Sequence, residues 1–520
     1  MKRNRFKLIA SVLLAGCLTF AHPIAGMAEE PTPEAGEAEN TTAEPATPWD
    51  GSSTASAFKS GDGSFGAPYV ISTPEEFNYF AMFISRNGVS NKKYFVLEND
   101  LDFGGHTISS VGSKDAKFSG TFDGRGHTIS NLCITSNVAD GYVGLFGNIN
   151  GSNAHVKNFT LKNVTVSGDR KQYTGAVAGF LTKGTISNVI LESTVTVQVK
   201  GVTTDESTNG VANGSTGGVV GRCYGTIQYV VSEATVIQEN AKATSPAFVG
   251  GITGVTGNGT GVITDCIVRG TVTADSGVVG GISGIVGAGN GGGRVENCIA
   301  DVAVTSQQTA GGVLGKIHTD SGNFLVDCIN LSDSVTAPVE KQGTIIGDIA
   351  KTGTVTGCST VAVDGIAKYG SGASSSVDLS AFEMTEISAE NAEAAVTALQ
   401  AKIDENAAKE AEIVYADEDD GAGENDPPAS GNEGSGDNGT GDGEGNGDSS
   451  GNDGMGGKPA GVGNTNNTDQ NKSETESVTS PVAAEESGCS STVSLAGGLM
   501  LVSVLGLGVT LLKKEKRGSK

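Results

Sequence analysis

The sequence predicts a mainly β fold: a parallel β-helix solenoid with short helical caps, a disordered acidic stalk and one C-terminal transmembrane helix. Three observations predict it. Glycine takes 78 of 520 positions, about twice its usual share, while aromatic residues make up only 5%. Between about residues 141 and 363, one glycine-opened, β-branched phrase returns seven times. Near the C-terminus, a long uncharged apolar run is followed at once by lysines.

Taken along the chain, residues 1–28 read as a secretory signal peptide. Lys2, Arg3, Arg5 and Lys7 form a basic head, Leu8 to Ala21 an apolar core, and Gly26-Met27-Ala28 a small-residue cleavage site. Inside the same stretch Leu14-Ala15-Gly16-Cys17 resembles a bacterial lipobox, which would lipidate Cys17. Residues 29–48, rich in Glu, Thr, Ala and Pro, read as a linker. Residues 49–140 are expected to hold an N-terminal cap and the first coils. There Thr73-Pro74-Glu75-Glu76 has the form of a capping box with proline at the first helical position, and predicts a helix to about Ser85.

Residues 141–365 carry the repeat. The pentads end at Gly147, Gly179, Gly221, Gly254, Gly284, Gly315 and Gly347, an almost even spacing with one longer interval between Gly179 and Gly221. After each pentad comes a phrase such as Ile263-Thr-Asp-Cys266 or Val295-Glu-Asn-Cys298, then a β-branched run such as Gly270-Thr-Val-Thr273. A glycine-punctuated, β-branched period of about thirty residues signals a solenoid. Stacked coils lie ~4.8 Å apart, so equivalent residues form ladders and glycine is needed where the chain turns a corner. Helical solenoids are excluded, because no i, i+3, i+4 apolar period occurs in these repeats.

The Gly-Gly-Ile/Val-x-Gly phrase followed by Ile-x-Asn/Asp-Cys resembles the GLUG repeat of bacterial surface proteins. Pro68-Tyr-Val-Ile-Ser-Thr-Pro-Glu-Glu-Phe77, Leu97-Glu-Asn-Asp-Leu-Asp102, Phe122-Asp-Gly-Arg-Gly-His-Thr-Ile-Ser-Asn-Leu132 and Gly144-Leu-Phe-Gly147 resemble the region that often precedes such repeats. The resemblance covers roughly residues 49–365 and implies a surface protein of right-handed parallel β-helix type. GLUG repeats also occur in IgA-cleaving metallopeptidases, which need a His-Glu-x-x-His helix. The five histidines, His22, His106, His127, His155 and His318, do not begin that motif, so this function is not expected to carry over.

Residues 366–416 are expected to cap the far end, with Ser388 starting a helix to about Glu410 whose Ala392, Val396, Leu399 and Ile403 share one face. Residues 417–488 are strongly acidic, almost without Lys or Arg, and contain no Phe, Trp, Tyr, Leu or Ile, which predicts a disordered, extended spacer. Val493 to Leu512 is long enough for a membrane-spanning helix, and residues 513–520 with Lys513, Lys514, Lys516 and Arg517 read as a cytoplasmic tail. The order of spacer, span and tail resembles the sorting tails of Gram-positive surface proteins. The LPxTG pentapeptide is absent, so anchoring by the membrane helix is expected.

Several groups invite a chemical reading. Asp102-Phe-Gly-Gly-His106 and Asp123-Gly-Arg-Gly-His127 form a direct duplication. Its 21-residue spacing suits one coil and would stack His106 on His127 and Asp102 on Asp123, a set able to hold a metal. The expected role is structural, each Asp accepting from backbone N–H groups in a tight turn. Asp265, Asn297 and Asp327 share a repeat column with Asn158, Asn188, Tyr229 and Gly357. Carboxylates two rungs apart would lie ~10 Å from each other, near the separation used by inverting glycosidases. A mixed column led by Asn points instead to turn hydrogen bonding. Cys266, Cys298, Cys328 and Cys358 occupy one column with Phe159, Val189 and Val230, which reads as an interior apolar row.

The sequence therefore predicts a cell-surface protein, outside the membrane except for its tail, that works in adhesion or in binding a host protein or glycan. No catalytic residue, metal site or cofactor is expected, and the chain is expected not to be an enzyme. A polysaccharide-active β-helix enzyme and a passive surface spacer are the alternatives. Nucleic acid is excluded as a partner, because 59 acidic against 34 basic residues give a net charge of −25 that repels phosphate backbones.

Overall fold

A computed structural model describes residues 49–415, apart from 88–89, 136–140, 170–172, 201–213, 240–246, 289–290, 319–321, 351–352, 372–376 and 378. The expected signal peptide, linker, spacer, span and tail lie outside the described residues. Among those described, no helix is long and apolar enough to cross a membrane.

The body is a parallel β-solenoid. Its most regular row runs Ile186, Ile227, Ile263, Val295, Leu325, Val355, each in register with the next on the following coil. All six are at most 1% exposed and face the bore. The coils shorten along this row, from the long step between Ile186 and Ile227 to the shorter step between Leu325 and Val355. Coils of unequal length thus keep one register, and the connecting loops absorb the difference. A second, seven-stranded parallel sheet closes the coil, running from Tyr142–Val143 to Gln342–Gly343. β-Branched side chains suit these strands because they pack on a pleated, buried surface.

The pentad glycines sit where the chain passes from this second sheet to the next strand. A Cβ on Gly284 would lie 2.5 Å from Val249 N and 2.7 Å from Gly254 O. These are backbone atoms of the preceding coil, so the corner admits no side chain.

Each end of the bore is closed differently. Helix α1 (Pro74–Asn87) starts at Thr73, whose Oγ1 accepts from Glu76 N, while the Glu76 carboxylate accepts from Ser72 N. It inserts Phe77, Phe80, Ala81 and Ile84 against Phe95, Phe103, Phe118, Phe122 and Phe146. Among the described residues, the fully buried phenylalanines all belong to 77–159. Beyond them the bore is lined by Val, Ile, Leu, Ala and Cys. At the far end Met384–Glu386 pairs with Cys358–Thr360, and Ile366, Tyr369, Leu379 and Phe382 pack on the core.

Helix α2 (Ala389–Ala411) is N-capped by Ser388, whose side chain accepts from Asn391 N. The sequence suggests an end cap, but α2 lies along the flank. It touches the strands 146–169, 178–191, 226–232 and 267–274 on successive coils. Leu399 and Ile403 pack on Val231, Ile267 and Ile299, with Ala395 and Val396 beside them. The helical period of α2 reveals an apolar face but not which surface receives it.

Candidate functional site

Three groupings of side chains follow from the ladders. The first is the corner column. Asn158, Asn188, Tyr229, Asp265, Asn297, Asp327 and Gly357 all adopt left-handed backbone conformations, with φ between 48° and 65°. Asn and Asp tolerate this region because a short polar side chain bonds locally. Asn188 Nδ2 donates to Asn158 Oδ1 at 3.1 Å, Asn158 Nδ2 to Asp123 Oδ1 at 3.0 Å, and Asn297 Nδ2 to Asp265. A parallel column at the next corner runs from Asp102 through Asn131 to Asn163, with Asn131 Nδ2 donating to Asp102 at 2.8 Å.

The duplicated Asp-Gly-His motif thus heads two different columns. Asp102 Oδ1 accepts from Gly104 N at 2.9 Å, and Asp123 Oδ1 accepts from Arg125 N at 2.8 Å, so both carboxylates close tight turns. They do not stack on each other. Asp102 is in register with Ser130, and Asp123 with Val96 and Lys157. The coil here is longer than the duplication, since Thr107 is in register with Cys133 and Leu101 with Ile129. His106 accordingly rests edge-on against Trp49, and His127 Nδ1 meets Asp100 at 3.1 Å. Cys266, Cys298, Cys328 and Cys358 are all buried and free. Burial pushes the Cys298 and Cys328 thiols far above their usual range. Among the described residues no three His, Cys, Asp or Glu groups converge as a metal site.

The second grouping lies beneath α2. Asp123 and Lys157 are neighbours on adjacent rungs, both nearly inaccessible, with 3.8 Å between the Lys157 ammonium and Asp123 Oδ2. Lys157 also pairs with Glu410 at 2.5 Å, and Tyr415 donates its hydroxyl to Asp123 at 2.8 Å. His155 shares the outward face of the strand with Lys157, and its Nε2 lies 2.7 Å from Ser187 Oγ. Burial, reinforced by the Lys157 charge, holds the imidazole down to about 4, so it is neutral at physiological pH. Further along the flank, Lys402 of α2 pairs with Asp265 at 2.7 Å.

The third grouping is a pile of rings on the outer surface. Tyr142 and Tyr173 are in register and stack with 5.3 Å between centroids and 5° between planes. The Arg222 guanidinium lies 5.1 Å from Tyr173 and 5.2 Å from Tyr224, and its Nη1 donates to the Tyr173 hydroxyl at 2.6 Å. Phe180 meets Tyr142, Tyr173 and Tyr224 edge-on at 5.1 to 5.5 Å. All five side chains are half-buried. Phe180 pairs in register with Arg222, so one outward column supplies both. The repeat phrases alone do not reveal this pile. Its signal is positional: Phe180 and Arg222 each follow a closing pentad glycine, and Tyr142 and Tyr173 each stand just before a pentad glycine, Gly144 and Gly175.

No family model matches the sequence. A segment of 89 residues, 17% of this chain, is 43% identical to halomucin of Haloquadratum walsbyi, of which it spans 1%. Among solved structures, the chain is similar to a candidate immunoglobulin A1 protease from Bacteroides ovatus at 21% identity. The TM-score is 0.44, covering 66% of this chain and 90% of that one. A second similar structure is an IgA1 protease, at 17% identity with a TM-score of 0.30, covering 52% of this chain and 22% of that one. At these identities the likeness is one of fold. Both neighbours are named as proteases, so the expectation that the chain is not an enzyme is withdrawn, and a likeness at these TM-scores assigns no activity in its place.

Proposed function

We propose that the chain is a bacterial cell-surface β-solenoid that binds a protein or glycan ligand through its flank, anchored by the Tyr142, Tyr173, Phe180, Arg222 and Tyr224 pile. That pile carries the reading. Tyrosine and arginine are the side chains over-represented where binding energy concentrates, because they offer large contact area and fixed hydrogen-bonding groups. Here each is held before any ligand arrives. A cation held against aromatic ring faces gains roughly 0.5–2 kcal/mol, and stacked rings lose little rotamer freedom on association. A surface setting is supported by the basic head and apolar run at residues 1–28, by the acidic spacer, and by the apolar run 493–512 with its basic tail. The pentads' resemblance to GLUG repeats supports the same setting.

The test is a screen of the full chain against a panel of glycans and extracellular proteins. Saturable binding to at least one panel member is expected. Failure to bind any member would favour the passive spacer and overturn this reading.

A further inference from the structure

We propose that residues 389–415 form a releasable strap, and that the flank groove beneath it is a binding surface for an amphipathic helix whose resident occupant is this segment. The proposal goes beyond ligand binding at the ring pile and does not depend on it.

Four observations carry it. First, the strap is attached differently from everything around it. Adjacent coils are joined rung by rung through parallel strand pairing, as between Ile267–Ala274 and Ile299–Ser306. Among the described residues, the backbone hydrogen bonds of 389–415 stay within the helix and its caps, and none reaches a coil. The strap is held by side chains alone.

Second, it contributes little to closing the core. Of the 23 residues of α2 only Ala392, Leu399 and Ile403 are buried. Helix α1 at one end, and Ile366, Tyr369, Leu379 and Phe382 at the other, already close the bore, so lifting the strap leaves the interior covered.

Third, the groove it covers is built to receive a helix of defined pattern. A strip of Val231, Ile267 and Ile299 on three consecutive coils takes Leu399 and Ile403, one helical turn apart. Charged groups lie along the strip. Asp265 takes Lys402 at one point, and Lys157 and Asp123 take Glu410 and Tyr415 at the other. An apolar strip flanked by complementary charges is how helix-in-groove recognition works. Lys157 and Asp123 would reach solvent only with the strap lifted, since they are 5% and 2% exposed beneath it.

Fourth, the attachment is arranged to open in sequence. The polar anchors from the N-terminal side are Lys402, then Glu410, then Tyr415, and the chain continues to its acidic spacer directly from Tyr415. A pull arriving from the C-terminal side therefore loads Tyr415 first. The contacts then break one after another instead of all at once.

Native-state hydrogen exchange on the full chain tests the release. Amides of 389–411 are expected to exchange through an opening of their own, ahead of the ladder amides at 226–232 and 299–306. The double variant Lys402→Met/Glu410→Gln is expected to speed exchange in 389–411 by about tenfold and leave the ladder amides unchanged. If 389–411 exchanges together with the ladder in both proteins, the segment is part of one cooperative unit and the strap is overturned. The groove is tested with a synthetic peptide of residues 389–415 added to the full chain carrying Leu399→Asp/Ile403→Asp, with ladder protection as the check on folding. Saturable binding at least tenfold tighter than to the unaltered chain is expected. Equal or absent binding overturns the groove.

Discussion

At the scale of single residues, the corner ladders convert a repeat into chemistry. Asp123 illustrates this. Its carboxylate accepts from Arg125 N, Asn158 Nδ2 and the Tyr415 hydroxyl, and faces the Lys157 ammonium. Asp123→Ala leaves those donors without an acceptor in a buried setting. It should cost about 2–4 kcal/mol, read as a lower denaturant midpoint at unchanged slope. His155 predicts a pH dependence. Its folded value of about 4 lies below the unfolded value of 6.5, so between those limits the unfolded chain binds more protons. Stability is then complete above about pH 6.5 and falls as the pH drops toward 4, by roughly 2 kcal/mol once partial exposure is allowed for. His155→Gln should flatten that slope; an unchanged slope would assign the acid sensitivity to other groups. The turn role of Asp102 and Asp123 was legible, because Asp close before glycine favours a side-chain-to-backbone turn. Their separation into two columns was not. The duplication looks like one coil until the strand register, Thr107 with Cys133 and Leu101 with Ile129, shows a longer one.

At the scale of elements, the caps show what local sequence can and cannot convey. Both helix starts were legible from Thr73 and Ser388, since capping is a local interaction. The aromatic plug was less so. The phenylalanines of 77–159 do not fall in one motif, and only the fold brings α1 onto the first coils. Phe80 stacks on Phe122 at 5.9 Å and lies 4.5 Å from Phe95. Phe80→Ala should therefore cost about 3–5 kcal/mol and loosen the N-terminal coils first in hydrogen exchange. At the pentads, Gly284→Ala sets a methyl against the backbone of Val249 and should cost about 2–4 kcal/mol. A neutral result would mean that this corner can widen. The placement of α2 on the flank was hidden because an amphipathic period carries no address.

At the scale of the whole molecule, the solenoid was legible because the coils repeat the same physical requirement: a glycine corner, an aliphatic row and a left-handed corner residue, Asn or Asp except at Tyr229 and Gly357. The ring pile proposed to bind ligand was not, because it is where the repeat is broken. Tyr142 and Tyr173 stack, the next rung of that column carries Ser215, and Arg222 reaches back to the Tyr173 ring. Their places beside the pentad glycines can be read from the sequence, but the side chains there differ from coil to coil, and the ladder register is what collects them into a pile. The central claim is that ligand engages this pile. The most direct measurement is the affinity of the full chain for a ligand found by screening, compared between the unaltered protein, Tyr173→Ala, Arg222→Ala and the control Phe248→Ala. Phe248 follows Ser215 in the same column but lies outside the pile. Losses of about tenfold or more for the first two, with Phe248→Ala within about twofold, are the expected result. Unchanged affinity in Tyr173→Ala and Arg222→Ala, with both variants folded, would contradict it.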